Sequence, residues 1–327
     1  MSEAETIESL RRRVRELELK VQHQAELIQQ LSEPKITRRL LAVKLNNYSH
    51  YPPRPVSIPS HYASTAWPDP PPRIGIVIPS YMQGRFLGLT LESILVQGYP
   101  NLAVWVQDGG STDESVKILE SYGSRIGWES KADRGQSDAI NKGHARVSAD
   151  IMAYLNSDDL LLPGSLAAVA QAFARNKDLD LVYGNRVIVD PEGLEIGRWV
   201  LPPHDNRVMR YLDYIPQETL FWRRRVYDDL GGFDDSLYFA LDWDFILRAM
   251  ARGFRFRRLP RFLACFRVQP EQKSIAAAET GRQETLMLRR REFGRHVEGP
   301  EIRKATRSYL YKHALLNRLY KNRLVKY

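Results

Sequence analysis

The residues that could do chemistry lie in four acid-bearing stretches. Residues 154–165 read "YLNSDDLLLPGS", so Asp158 and Asp159 follow an apolar run directly and leucines resume at once. Carboxylates at the end of a buried strand are costly unless paired, hydrogen-bonded or bound to a cation. A hard divalent cation, Mg2+ or Mn2+, is usually held by one or two carboxylates, with water and substrate oxygens completing its shell. Such an ion bridges the oxygens of a diphosphate. Asp158 is the first candidate ligand and Asp159 the second, and Asn156 supplies a neutral oxygen and a donor. The competing structural reading makes Asp158 or Asp159 the cap of a helix starting near residue 164, after a Pro163-Gly164 turn.

The other stretches carry the same ambiguity. "DGGSTD" begins at Asp108, where two glycines permit a sharp exit and close approach of a ligand. Asp108 is a candidate acceptor for a nucleobase or ribose, or else a turn acid with Ser111 capping the next helix. "DRGQSDAINKG" (133–143) offers Asp133, Arg134, Gly135, Gln136, Asp138 and Asn141 to a nucleotide diphosphate or sugar, or to solvent. "YFALDWDFILRAMARG" (238–253) sets Asp242 and Asp244 around Trp243 at the start of an amphipathic helix. Acids there suit the helix dipole. That accounts for one carboxylate better than for the four in "GGFDDSLYFALDWD".

The elements that must position these residues alternate. Strand patterns at 73–80, 102–108, 151–156 and 179–185 are separated by helical patterns at 84–97, 111–123, 137–147 and 164–175. This order predicts an α/β domain with a largely parallel sheet. Ligands of such sheets collect beyond the carboxyl ends of the strands. The loops Pro79-Ser80-Tyr81, 108–113 and 156–159 should therefore meet at one edge.

Around that domain, expected over 73–270, the pattern changes. Residues 1–33 form a coiled-coil oligomerisation helix by expectation: Ile7, Val14, Val21 and Ile28 share one seam position, and Leu10, Leu17, Gln24 and Leu31 the other. Self-association through residues 7–31 follows. Residues 34–72 read as a proline-rich linker, or an arm laid over the next domain. Residues 271–327 read as a basic helical extension. From Leu286 onward twelve Lys/Arg face three Glu, which equals the net charge of +9, so the rest of the chain is balanced. Such a tail suggests an anionic partner, here the surface of a membrane; no nucleic-acid reader motif accompanies it, so nucleic acid is not expected.

Composition, 43% hydrophobic and 27% charged, fits a globular protein without a membrane span. The start lacks an apolar signal core, and the single Cys265, in "FLACF", excludes an internal disulfide or cysteine metal cluster. The expected location is cytoplasmic, peripheral to the inner face of the cell membrane.

Taken in order, "IGIVIPSYMQGRFLGLTLESILVQGYPNLAVWVQDGGSTDES", "ADRGQSDAINKGHARVSADIMAYLNSDD" and "IPQETLFWRRRVYDDLGGFDDSLYFALDWDFILRA" resemble the family 2 glycosyltransferases, inverting enzymes of the GT-A fold. The resemblance spans roughly residues 73–270 and implies a Rossmann-like nucleotide-binding half joined to an acceptor half. It implies that Pro79 and Tyr81 flank the base, that Asp108 binds uracil or its equivalent, and that Asn156-Ser157-Asp158 stands at the family's Asp-x-Asp metal motif. Asp242 falls at the catalytic base, with Trp243 beside the acceptor and Gln217 in the acceptor-side "Q…F.RR" stretch; Tyr183 joins them as a pocket residue. Met82 stands where an asparagine is usual, and Gln269 where a histidine often lies. The implied reaction moves a sugar from a nucleoside-diphosphate sugar, most simply a UDP-sugar, to a hydroxyl of a saccharide or lipid-linked acceptor in bacterial surface-glycan synthesis.

Two other readings compete. A sugar-nucleotide nucleotidyltransferase shares the α/β nucleotide half, but its glycine-rich basic loop is missing from "PSYMQGRF". A non-catalytic coiled-coil scaffold with a sugar-binding body is disfavoured by the presence of Asp158 and Asp242.

Overall fold

Strand β1 (Ile74–Ser80) is buried along its whole length, as the unbroken apolar run of a parallel strand requires. It lies in a nine-stranded sheet. The computed structural model describes residues 48–269 and 278–327. β2 (Leu102–Asp108), β3 (Gly127–Ser130) and β4 (Ile151–Tyr154) complete a parallel half in the order β3-β2-β1-β4. The register pairs Ser80 with Asp108 and Asp108 with Ser130, so three strands end level. β4 pairs Val77 with Tyr154 and then leaves the sheet. The loops after β1, β2 and β4 thus share one edge.

The second half is mixed. β8 (Phe221–Arg223) runs antiparallel to both β4 and β6 (Leu181–Val189). The twelve-residue β9 (Phe256–Arg267) lies parallel to β6, and the short β5 (Leu160–Leu161) and β7 (Glu195–Trp199) close the edges. Here the expected strand 179–185 starts two residues later and runs four residues further, to Val189, because β9 and β7 extend its pairing.

Helices α1 (Gly84–Leu95), α2 (Ser115–Ser121), α3 (Gln136–Arg146) and α4 (Ser165–Arg175) cover the parallel half. α1 buries Phe86, Leu87, Leu91 and Ile94, the side expected from its spacing. α2 starts later than expected: Ser111 bonds Asp108, and Asp113 Oδ1 instead accepts from Ser115 N at 3.0 Å. α5 (Asn206–Met209), α6 (Arg224–Leu230) and α7 (Leu241–Ala251) belong to the other half. Alternation along β1 puts Val77 in one apolar cluster and Ile76 and Ile78 in another, on opposite faces of the sheet.

From Tyr48 on, the proline-rich stretch packs against this body. Tyr62 is buried, Tyr48 stacks on Trp199, and Arg54 bridges to Glu195. Helices α8 (Ala278–Phe293) and α9 (Gly299–Lys321) contribute Leu288 and Tyr309 to the main core. The heptad of residues 7–31 and the linker up to residue 47 lie outside the described residues. Among the described residues no helix is long and apolar enough to cross a membrane.

Candidate active site

At the end of β2 the Asp108 carboxylate is wrapped by its own loop. Oδ2 accepts from Gly110 N (3.1 Å), Ser111 N (2.8 Å) and Ser130 Oγ (2.6 Å), and Oδ1 accepts from Ser111 Oγ (2.6 Å). Its first task is to shape the turn. The exposed ring beside that turn is Tyr81, 64% accessible. A Cβ on Gly109 would sit 3.1 Å from Asp133 Oδ2 and 3.2 Å from Tyr81 Cδ2, so only a glycine lets the ring and the carboxylate close on this backbone. Pro79 is an interior residue of β1, buried and paired in register with Gln107, which takes it out of reach of a base.

The 133–143 segment serves mainly to build its own turn. Gly135, at φ +113°, donates to Asp133 Oδ1 at 2.9 Å. Asp138 accepts from Arg134 N and pairs with Lys142 Nζ at 2.8 Å. Burial works against its charge, yet the bonds to Lys142 and Arg134 hold its pKa down at about 2. Asn141 donates to Phe233 O and accepts from Phe233 N and Tyr227 Oη. Asp138 and Asn141, expected beside the nucleotide, direct these bonds to the turn itself and to Tyr227 and Phe233. Gln136 alone of this group turns toward the loop after β4.

That loop, 156–159, is pinned from behind by Thr90 Oγ1, 2.8 Å from both Ser157 O and Asp159 O. Neither aspartate caps α4, whose N-cap is the left-handed Gly164. Asp158 Oδ2 accepts from Gln269 Nε2 at 2.6 Å, and Arg267 Nε binds the Asp158 carbonyl at 2.9 Å. Burial raises the Asp158 pKa, opposed by the Gln269 bond and the Arg267 charge. Asp159 is 1% accessible, and its Oδ1 accepts from Arg267 N at 3.0 Å. Its Oδ2 has no partner among the described residues. Burial, then the charges of Asp158 and Glu218, push its pKa well up. Asp159 thus faces the interior, and Asp158 is the better placed of the two for a cation. Among the described residues no three His, Cys, Asp or Glu side chains gather as a metal set. A desolvated carboxylate joined by substrate oxygens fits a hard cation without one.

Asn156 links the two halves. Gln136 Nε2 donates to Asn156 Oδ1 (2.7 Å), Asn156 Nδ2 donates to Gln217 Oε1 (3.3 Å), and Gln217 Nε2 donates to Tyr154 O (2.8 Å). The last acceptor is a backbone carbonyl, so it fixes the polarity of all three amides.

On the far side of Tyr154 stand the acceptor-half acids. Asp242 opens α7, and its Oδ1 accepts from Trp243 N at 2.9 Å. Asp244 is separated from it in function, fully buried between Arg248 (2.7 Å) and Arg291 (2.6 Å). Trp243, expected beside the acceptor, is 2% accessible and donates Nε1–H to Met209 O. Tyr183, also expected there, is a core residue of β6 with its hydroxyl on His204. The rings of both pack in the core. Gln217 is buried but belongs to the amide chain.

The Tyr154 phenol is buried at the end of β4. Burial raises its pKa first, followed by the charges of Asp242, Asp213, Asp159 and Glu218. One side chain at the end of β4 therefore lies within the field of acids from both loops.

Residues 75–230 match the family model described as Glycosyl transferase family 2. Over these residues the chain carries a family 2 glycosyltransferase domain. A PGL/p-HBAD biosynthesis glycosyltransferase of Mycobacterium bovis is 29% identical over 185 residues, 55% of this chain and 70% of that protein. Chondroitin synthase of Escherichia coli is 27% identical over 56% of this chain and 27% of its own length. Crystal structures extend the likeness of fold. TarS of S. aureus (residues 1–349), in complex with UDP-GlcNAc, superposes with a TM-score of 0.57 at 17% identity over 73% of this chain and 71% of that one. The mannosyltransferase PcManGT of Pyrobaculum calidifontis, in complex with GDP-Man and Mn2+, gives 0.55 at 18% identity over 89% and 79%.

Two residues of this glycosyltransferase escaped the sequence reading. Asp213 lies in "YLDYIPQ", a loop without period, and its Oδ1 is buried with no hydrogen-bond partner among the described residues. Burial and then the Asp242 charge push its pKa well up. Glu284, in α8, accepts from Tyr238 N, Phe239 N and Ala240 N, each at 2.8 Å. The basic tail thus holds the backbone that leads into Asp242. Only a carboxylate far along the chain can do this, so no local signal marks it.

Proposed function

We propose that this family 2 glycosyltransferase moves a sugar from a nucleoside-diphosphate sugar, a UDP-sugar in the first instance, to a hydroxyl of a saccharide or lipid-linked acceptor, with inversion at the anomeric carbon. A place in bacterial surface-glycan synthesis follows from that acceptor class. The observation that supports the reading most is the chain of amides from Gln136 through Asn156 and Gln217 to the Tyr154 carbonyl, which ties the loop after β4 to the other half. The UDP-GlcNAc held by TarS and the GDP-Man held by the mannosyltransferase support the donor class.

In this reading Tyr81, the Gly109 backbone and Asp133 receive the base. Asp158 would hold Mg2+ or Mn2+, which when bound offsets the charge developing on the departing diphosphate. Asp242 takes the proton from the acceptor hydroxyl as it attacks the anomeric carbon, and the bond to Trp243 N keeps its carboxylate aimed. A positioned base contributes about 10²–10⁴-fold. Gln217, Asn156 and Gln136 keep donor and acceptor loops in one relation.

The test is turnover of UDP- and GDP-sugars by the full chain with Mg2+ or Mn2+ and a panel of glycan and lipid-linked acceptors. Acceptor-dependent release of nucleoside diphosphate is expected, with product of opposite anomeric configuration by NMR. A product of retained configuration refutes the inverting mechanism.

A further inference from the structure

The proline-rich arm and the basic tail meet at a place the catalytic reading does not use. A groove of about 1150 Å³ lies between them. Arg54 and His61 reach it from the arm, and Lys321, Arg323 and Lys326 from the end of α9 and the residues after it. Tyr320 and Tyr327 supply aromatic wall. Among the described residues no Asp or Glu lines it. Glu195 lies beneath, fully buried, and is neutralised by Arg54 (2.7 Å), Arg198 (2.5 Å) and the Tyr51 hydroxyl.

Lys321, Arg323 and Lys326 are exposed. None of the three makes an ion pair among the described residues. The helix dipole favours a cation in the last turn of α9. It explains Lys321, but not Arg323 and Lys326 beyond the helix end, nor Arg54 and His61 from a distant segment. Unpaired cations gathered around one cavity raise its potential and attract anions.

The groove is separate from the donor cleft. Arg198 and Trp199 are neighbours in β7, so their side chains leave opposite faces of the sheet. Trp199 lies 4.5 Å from the guanidinium of Arg186, the partner of Glu218. Arg198 lies over Phe262 on the other face, 4.9 Å from the ring centroid, and contacts the Tyr320 hydroxyl.

We propose that this groove is an anion site taking a ligand that carries two or more phosphate groups. Arginine and lysine together suit phosphate oxygens, the former as a fork and the latter as a point charge. The volume exceeds what a single phosphate fills, and three separated cations without ion pairs among the described residues call for more than one anion. The phosphates come either from a soluble oligophosphate or polyol phosphate, or from adjacent lipid headgroups.

The experiment compares the full chain with the triple variant Lys321→Ala/Arg323→Ala/Lys326→Ala, whose exposed positions leave the fold intact, as a thermal melt checks. Tripolyphosphate binding is measured by calorimetry without divalent cation. Co-sedimentation is measured with phosphatidylglycerol-containing vesicles and with phosphatidylcholine vesicles. The parent is expected to bind, and the variant to bind about a hundredfold more weakly, a factor of roughly five for each cation removed. Loss confined to tripolyphosphate identifies a soluble ligand, and loss confined to the anionic vesicles identifies headgroups. No binding by the parent, or equal binding by parent and variant to every probe, overturns the proposal.

Discussion

Gln136 donates Nε2–H to Asn156 Oδ1 at 2.7 Å, which turns Asn156 Nδ2 toward Gln217 Oε1 at 3.3 Å, and this second bond explains why an amide stands where the family carries the first acid of its metal motif. Gln217 cannot turn, because its Nε2 is held by the Tyr154 carbonyl. Its Oε1 therefore needs a donor from residue 156. In Asn156→Asp, an ionised carboxylate would face that oxygen acceptor to acceptor. A protonated one would restore the bond. The variant is expected to lose roughly tenfold in kcat/KM at pH 8 and to recover relative to the parent as pH falls toward 5. A metal ligand at this position predicts the opposite trend, with tighter Mn2+ binding and better activity at high pH. The ratio of pH–rate profiles, with Mn2+ affinity measured by calorimetry, decides.

Asp213 lies in the field of Asp242, and burial together with that charge pushes the Asp213 pKa well up. The deeper Asp213, lacking a partner for Oδ1, is the one of the two that takes up the proton. Asp213→Asn mimics that protonated state and should retain turnover within about threefold. Asp242→Asn should lose about 10²–10⁴-fold while donor affinity stays near the parent value. Single-turnover kinetics beside donor titration separate the two. Equal losses in both variants would remove Asp242 from the role of base.

How much of this was legible depends on whether a residue's partner is local. β1, α1, β2 and α3 follow from runs of apolar residues at strand or helix period, and they bring the right loops to one edge. β9 was not legible: "FRRLPRFLACFR" carries Pro260 and four arginines, and it is a strand because β6 pairs with it from far away. The surroundings of Asn141, Tyr183 and Trp243 were not legible for the same reason. Their types suit a binding pocket, but Phe233, His204 and Met209, each distant in sequence, engage their polar atoms. Gln269 was legible as the position of a missing histidine, and the structure brings it to Asp158.

That contact bears on the cation. With Gln269 holding Oδ2 of Asp158, and substrate oxygens required to complete the shell, donor and ion should bind together. Chelator is expected to lower UDP affinity at least about tenfold, and Mn2+ alone to bind weakly. Calorimetric titration of UDP with and without EDTA measures this. UDP affinity indifferent to chelator would take Asp158 out of the metal role.

Arg186 and Glu218 form a bidentate pair at 2.6–2.7 Å, almost wholly buried. Trp199 and Phe266 flank the guanidinium at 4.5 and 4.4 Å. Glu218→Ala leaves that cation desolvated without a counter-charge, which should destabilise the fold by about 3–5 kcal/mol. The double replacement Arg186→Met/Glu218→Leu should cost less than the single one. Urea unfolding of the three proteins tests the ordering.

Acid stability should depend on His144. Its ring is buried between Trp222 and Tyr227, with centroids 5.7 and 4.9 Å away, and neither nitrogen has a hydrogen-bond partner among the described residues. Burial, then the nearby Arg224 charge, pulls its pKa down to about 3 from the ordinary 6.5. The unfolded chain binds a proton below about pH 6.5 while the native ring stays neutral. Its contribution is therefore intact above that pH and disappears as pH falls toward 3. By pH 5 the loss is about 2 kcal/mol, since each unit is worth about 1.4. His144→Leu removes the titration and should flatten the fall in stability between pH 7.5 and 5. Part of the slope persists through His313, whose burial lowers it to about 4. Urea unfolding of parent and variant at both pH values gives the two slopes; equal slopes would mean that the native state already accommodates a charged ring at this position.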